Sequence, residues 1–301
     1  MNGPLVIDTK MHGFEGITGA FVLRGEKTAL IETGPKTSVE TVLAGLDANG
    51  IEHLDWIIVT HIHLDHAGAA GTLAARFPAA TIAVHSVGAP HLVSPAKLWA
   101  SAARIYGNEM DELWGGIDPI PQERIRVIDD GDKIDLGGRS LQAIETPGHA
   151  YHHHAYLDDS TGMVFTGDAL GVRLASVPAV RPATPPPEFH LAKAIESIER
   201  IKGVGASSLC LTHFGPSEVD PAELCDQGIE ALLRWATWVR DARVETREHD
   251  EVTEKVRSAA RGDAEGRLDQ ADVDRLEQTT SYEMNVSGYM RYMDKNEPDA
   301  R

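Results

Sequence analysis

His61-Ile62-His63-Leu64-Asp65-His66 follows the apolar run Trp56-Ile57-Ile58-Val59, with only Thr60 between them. The apolar run reads as a strand buried on both sides, and a loop leaving the end of such a strand is where a rigid sheet holds chemistry. Two histidines two positions apart, followed by Asp-His, cannot all point one way on a single regular element. In an irregular loop, alternate residues face different sides of a two-metal cavity. The stretch is therefore suited to give His61 and His63 to one ion and Asp65 and His66 to another.

Three further residues extend this set. His149 ends Thr146-Pro147-Gly148-His149, Asp168 ends Thr166-Gly167-Asp168, and His213 ends Leu211-Thr212-His213. Each sits just beyond an apolar run, as ligands converging on one edge of a sheet core would. Five imidazoles and two carboxylates suit two transition ions rather than one. Two ions sharing a water lower its pKa and polarise the group it attacks, so the set points to a hydrolytic enzyme. The expected cofactors are two divalent metal ions per chain, zinc first. Iron, manganese and cobalt also suit a mixed His/Asp site, because the affinity order alone does not choose among them.

Around these residues the chain alternates short apolar runs with helical patterns. Residues 20–24 and 28–32 flank Gly25-Glu26-Lys27, a hairpin signal. Residues 37–48 read as a helix capped by Ser38, with Val39, Val42, Leu43 and Leu46 on one face, and a second helix is expected over 67–76. Further strands are expected at 81–85, 125–128, 133–136, 141–144, 154–157, 163–166 and 208–211, and a turn at 158–162. Residues 86–124 form a mixed helical insertion whose Trp99, Tyr106 and Trp114 either line a pocket or pack on the core. Pro182-Ala183-Thr184-Pro185-Pro186-Pro187 reads as a stiff connector before a helix over about 188–202. From Pro221 onward the chain is almost entirely helical, with breaks expected near 261–263 and 285–288. Its last apolar segment either roofs the pocket with Tyr282, Tyr289, Arg291 and Tyr292 or buries Met284, Val286, Met290 and Met293 against the core or a second subunit.

The residues of this motif set resemble those of the metallo-β-lactamase superfamily over roughly 15–216. The resemblance implies an α/β fold, a four-layer αββα sandwich carrying the metals at the edge between its sheets. With it we expect a catalytic domain over 1–245 and a C-terminal helical extension over 246–301. It further implies that His61, His63 and His149 hold the first metal, that Asp65, His66 and His213 hold the second, and that Asp168 bridges them. Asp65 would also orient the bridging hydroxide that acts as nucleophile. Two departures stand out. Glu32-Thr33-Gly34 replaces the family's frequent Asp-Thr-Gly, so the contact behind the metal loop is expected to be longer or rearranged, and metal affinity with it. Ala150-Tyr151-His152-His153-His154 replaces Gly-His after His149. His153 then takes the family's place behind the ligands, and ligation by His152 or His154 is open; strand alternation turns neighbours in this run to opposite sides.

Composition narrows the function. The 301 residues are 42% hydrophobic, enough for a full core, and 28 Lys plus Arg against 46 Asp plus Glu give a net charge of −18. That charge repels phosphate backbones and anionic membranes, and the short interval from Asp168 to His213 leaves no room for the extra domain that the resemblance implies for RNA-cleaving members, so no nucleic acid and no membrane partner are expected. Cys210 and Cys225 read as buried free thiols of a reducing compartment, and the N-terminus shows no export signal, so a cytoplasmic protein is expected. The first reading is a dinuclear metal hydrolase of a small carboxylic ester or lactone. Thioester hydrolysis of the glyoxalase II kind and a mononuclear iron persulfide dioxygenase are the alternatives, and a homodimer remains open. A purely structural zinc site would need four ligands, not seven.

Overall fold

The computed structural model describes residues 3–177 and 179–297. The outer ends of the two expected domains, residues 1–2 and 298–301, lie outside them. The chain divides into two compact units, Met1–Glu145 with His152–Phe165, and Thr146–Tyr151 with Thr166–Arg301.

In the first unit, the strands are β1 (Leu5–Asp8), β2 (Gly19–Arg24), β3 (Thr28–Ile31), β4 (Trp56–Ile58), β5 (Thr81–His85), β6 (Ile125–Ile128), β7 (Lys133–Asp135), β8 (Ser140–Glu145), β9 (His154–Asp158) and β10 (Met163–Gly167), the last of which runs past the unit's end. Its helices are α1 (Val39–Ala48), α2 (Leu64–Ala67), α3 (Ala70–Arg76), α4 (Ala89–Val93), α5 (Ala96–Tyr106) and α6 (Met110–Trp114). Strands β1 to β6 form one sheet in chain order, antiparallel from β1 to β3 and parallel from β3 to β6. Strands β7 to β10 pair antiparallel in chain order, and in the second unit β11 (Ser208–Leu211) pairs antiparallel with β12 (Gly215–Pro216).

Period-two alternation decides what each face of the first sheet buries. Ala20, Val22, Leu30, Ile57, Ile82 and Val84 share one core cluster with Val42 and Leu46 of α1 and Leu73 and Ala74 of α3. Phe21 points the other way and meets Phe165 of β10, ring centroids 5.7 Å apart. The Tyr156 hydroxyl on β9 donates to the Val59 carbonyl at 3.2 Å. Each fully buried aliphatic or aromatic side chain here contributes about 1.5–3 kcal/mol.

The expected strands all form, within a residue or two of the boundaries read from sequence. Three local readings need correction. The helix expected from 37 begins at Val39: Lys36–Ser38 is a 3-10 turn, and Ser38 is buried without a side-chain cap bond. The metal-loop motif is not wholly irregular, since Leu64–Ala67 closes one helical turn behind an extended His63. β1 escaped notice because four residues beside Pro4 carry too little periodic signal; pairing with β2 makes it a strand. In the 86–124 insertion, Trp114 is buried, edge-on to His12 at 5.3 Å and to Tyr106 at 5.0 Å, so it packs.

The second unit adds α7 (Leu191–Gly203), α8 (Pro221–Glu245), α9 (His249–Gly262), α10 (Gln270–Thr279) and α11 (Tyr282–Asn296). Asp220 opens α8 by accepting from the Ala222 and Glu223 amides at 3.0 and 3.1 Å, ahead of Pro221 at the first helical position. Leu224, Gly228, Ala231, Leu232, Trp235 and Val239 form its buried stripe. The break expected at 285–288 is absent, and α11 runs straight through it. Gly288 is there because the helix presses on another segment: a Cβ would lie 1.7 Å from the Thr184 carbonyl oxygen. Tyr282, Val286, Tyr289, Tyr292 and Met293 are buried, which favours the packing role of this segment. Arg181, 1% exposed, is bound by Glu265 at 2.7 Å and Glu277 at 2.6 Å and lies over the Tyr282 ring at 4.5 Å. The helix expected from 188 starts at Leu191, where His190 accepts from the Lys193 amide. Cys210 and Cys225 are free and buried, and burial raises both thiol pKa values, that of Cys225 to about 12. Among the described residues, no helix is long and apolar enough to cross a membrane.

Candidate metal centre

The first unit carries four of the seven candidate ligands on the segment after β4. Thr60 donates its hydroxyl proton to Glu32 Oε1 at 2.6 Å. His61 Nδ1, 3.0 Å from the same hydroxyl, is then the donor to it, which leaves Nε2 as the basic nitrogen. His66 Nδ1 lies 3.1 Å from the other side of Glu32 Oε1, so its Nε2 is likewise the basic atom. One buried carboxylate therefore sets the tautomer of two imidazoles, one of them through Thr60. Glu32 reaches them from a left-handed backbone turn, φ 64°, at the end of β3. The contact expected to be longer or rearranged is thus direct on His66. Thr33 closes the same corner, its amide and hydroxyl donating to the His66 carbonyl at 2.9 and 2.8 Å.

Donor spacing here has a simple reference. A tetrahedral zinc with bonds of about 2.1 Å holds its ligand atoms about 3.4 Å apart. Asp65 Oδ2 and His66 Nε2 are 3.4 Å apart, and His61 Nε2 and His63 Nδ1 are 2.9 Å apart. His61 and His66 draw together as well, their ring centroids 4.0 Å apart, and both also occur in a metal-compatible group with Asp168. Burial first and the Asp65 charge second raise the Tyr106 phenol.

In the second unit, His149 follows Gly148, whose φ of 139° and close approach to α7 admit no side chain: a Cβ would lie 2.3 Å from the Ala194 nitrogen. Ser197 holds the Pro147 carbonyl at 2.6 Å and the His190 amide holds that of Gly148 at 2.8 Å. His149 Nδ1 donates to the Ala183 carbonyl at 2.9 Å, which again makes Nε2 the basic atom. Asp168 presents one oxygen to each neighbour, Oδ2 to His149 Nε2 at 3.5 Å and Oδ1 to His213 Nε2 at 3.4 Å. A carboxylate that spreads its two oxygens over two histidines in this way has the shape of a bridge. All seven residues belong to His/Asp groups compatible with a divalent metal site.

The histidine run alternates only from His153 to His154, because β9 begins at His154 and both His152 and His153, ahead of it, face His61. The His153 ring lies 5.0 Å from that of His61, while His154 turns to His85 at 4.6 Å. His152 stacks on His61 at 6.1 Å and accepts from the Ile62 amide through Nδ1. None of the three is in a metal-compatible group found among the described residues. What the sequence did not disclose is the set of groups behind the ligands, namely Thr60, the Ala183 carbonyl and the direct Glu32 contact. Thr60 beside the motif and Glu32 in place of Asp were the available signals.

A family model of the metallo-beta-lactamase superfamily matches residues 13–213. The chain belongs to the metallo-beta-lactamase superfamily. Within that superfamily it is 33% identical over 178 residues to a metallo-beta-lactamase fold-containing protein of Sulfurisphaera tokodaii, covering 58% of this chain and 64% of that one. It is 32% identical over 151 residues to a hydroxyacylglutathione hydrolase of Aeromonas hydrophila, covering 50% and 45%. The matches thus span from under half to just under two thirds of these curated relatives. The crystal structure of an archaeal superfamily protein from Sulfolobus tokodaii superposes with a TM-score of 0.72 at 25% identity, covering 96% of this chain and 98% of that one. Two sheets with helices and a C-terminal helical region are the superfamily's architecture in this chain.

Proposed function

We propose that this superfamily member is a dinuclear metal-dependent hydrolase that cleaves a small carboxylic ester or lactone. One ion would be held by His61, His63 and His149 and the other by Asp65, His66 and His213, with Asp168 between them. The observation that carries the reading is the donor set: both triads occur among the metal-compatible groups, and the carboxylate oxygens of Asp168 each face a different histidine. When bound, such ions lower the pKa of a shared water to about 7 and polarise the acyl carbonyl. The protein's part is preorganisation. Glu32, directly and through Thr60, and the Ala183 carbonyl keep His66, His61 and His149 in the tautomer that offers Nε2. Asp65 would accept a hydrogen bond from the attacking water at its carboxylate and so aim its oxygen.

Thioester hydrolysis is the second reading, favoured by the similarity to a hydroxyacylglutathione hydrolase. Elemental analysis of protein purified without added metal tests the site, with Asp168→Ala alongside. About two divalent ions per chain, reduced in the variant, are expected, and an ester, lactone and thioester panel then separates the two substrate classes. A single iron per chain, with oxygen uptake on a persulfide, would overturn the hydrolase reading.

A further inference from the structure

We propose that Asn285 of α11 is a positioning residue for His149, so that the C-terminal helix belongs to the apparatus of the metal centre. The inference rests on reading His149 as a ligand. His149 takes its orientation from the Ala183 carbonyl, and the two residues flanking Ala183 are both held by one buried amide. Asn285 Nδ2 donates to the Pro182 carbonyl at 2.8 Å, and its Oδ1 accepts from the Thr184 amide and the Thr184 hydroxyl, each at 2.9 Å. The Asn285 side chain is 0% exposed.

This is the pattern a neighbouring strand would supply. In an extended chain the carbonyl of one residue and the amide two residues on point to the same edge, and the carbonyl between them points to the other. By occupying the edge of Pro182 and Thr184, the Asn285 amide turns the Ala183 carbonyl toward His149 Nδ1. Two further contacts lock the amide in place. Thr280 Oγ1 lies 3.0 Å from both the Pro182 carbonyl and Asn285 Oδ1, and Gly288, one turn along α11, lets the helix seat directly on the Thr184 carbonyl. Arg181 anchors the preceding residue, bridging Val172 through its backbone and the C-terminal helices through its guanidinium. A proline-rich connector has few amide protons of its own, so its carbonyl directions depend on such outside donors and acceptors.

The test is metal affinity, by chelator competition, together with the visible spectrum of the cobalt-substituted full-length protein. Asn285→Ala is expected to weaken the tightest-bound metal about 10-fold and to alter the cobalt bands, as outer partners of ligating histidines do. Tyr289→Phe is the control: it loses a buried bond to the Leu232 carbonyl on the same helix without touching residues 182–184, and should leave both readouts unchanged. Should Asn285→Ala not fold, Thr184→Val removes only the hydroxyl bond and is expected to cost about 3-fold by the same logic. Unchanged affinity in the Asn285 or Thr184 variant, or an equal loss in Tyr289→Phe, would overturn the proposal. His149→Ala separates the two levels: if it keeps full metal content, His149 is not a ligand and the reading beneath the proposal fails as well.

Discussion

Gly288→Ala is the sharpest probe of how α11 is seated. In an exposed helix the substitution would stabilise by about 1 kcal/mol, because glycine is the poorer helix former. Here the added Cβ would stand 1.7 Å from the Thr184 carbonyl oxygen and 2.8 Å from its carbon, and both are backbone atoms in a segment already bound through Asn285. Relief requires moving the helix or residues 182–184 by more than an ångström. Overpacking of a rigid contact costs about 1–3 kcal/mol or more, and a backbone clash this close belongs at or beyond the upper end. Set against the propensity gain, we expect a net loss of about 2 kcal/mol or more, a fall in melting temperature of roughly 4 °C or more. Gly203→Ala is the internal control: it ends α7, and a Cβ there meets nothing within 4 Å. Thermal and urea unfolding of the pair read the difference. Equal stability of the two variants, or a gain in Gly288→Ala, would refute the close seating of α11.

Two further perturbations address other links. Glu32→Gln keeps the size of the side chain but removes the charge that holds the Thr60 hydroxyl and His66 Nδ1, and should weaken metal binding about 10-fold in chelator competition with little change in the apo melting point; an unaltered affinity would remove Glu32 from the site. Asp158 gives a pH signature: burial opposes its charge, but hydrogen bonds from Arg139, Thr161 and Ser160 outweigh it and hold its carboxyl below the usual range. Its stabilisation is therefore complete above the unfolded value of about 3.9 and is lost as pH falls through the lower folded value. Asp158→Asn strands a guanidinium buried to 2% exposure and should cost about 3 kcal/mol at pH 7 while flattening the acid limb of the stability curve. A variant as acid-sensitive as the parent would contradict that account.

The parts of this fold that were legible in the sequence are those where one residue's environment follows from its neighbours along the chain. Trp56 to Val59 is apolar on both faces because a central parallel strand is covered on both, and its end had to carry the histidine motif somewhere near solvent chemistry. The spacing of His61, His63, Asp65 and His66 was likewise local, and His61 Nε2 lies 2.9 Å from His63 Nδ1 and Asp65 Oδ2 3.4 Å from His66 Nε2 even though Leu64–Ala67 closes a helical turn that the spacing did not announce. What escaped the reading depends on contacts far along the chain. Glu32 could be recognised as a departure from Asp, but only the left-handed turn at its backbone shows how the longer side chain still reaches His66. Ala183 has no side chain to draw attention, since its function is a carbonyl direction fixed by Asn285 about a hundred residues away. The same distance explains the misread break at 285–288: Asn, Ser and Gly in sequence are helix-weakening signals, whereas in the fold Asn285 and Gly288 are spaced by three so that one face of an unbroken helix can grip a proline-rich segment. A substitution that improved local helix propensity at either position would therefore be expected to damage both the packing and, through His149, the metal centre.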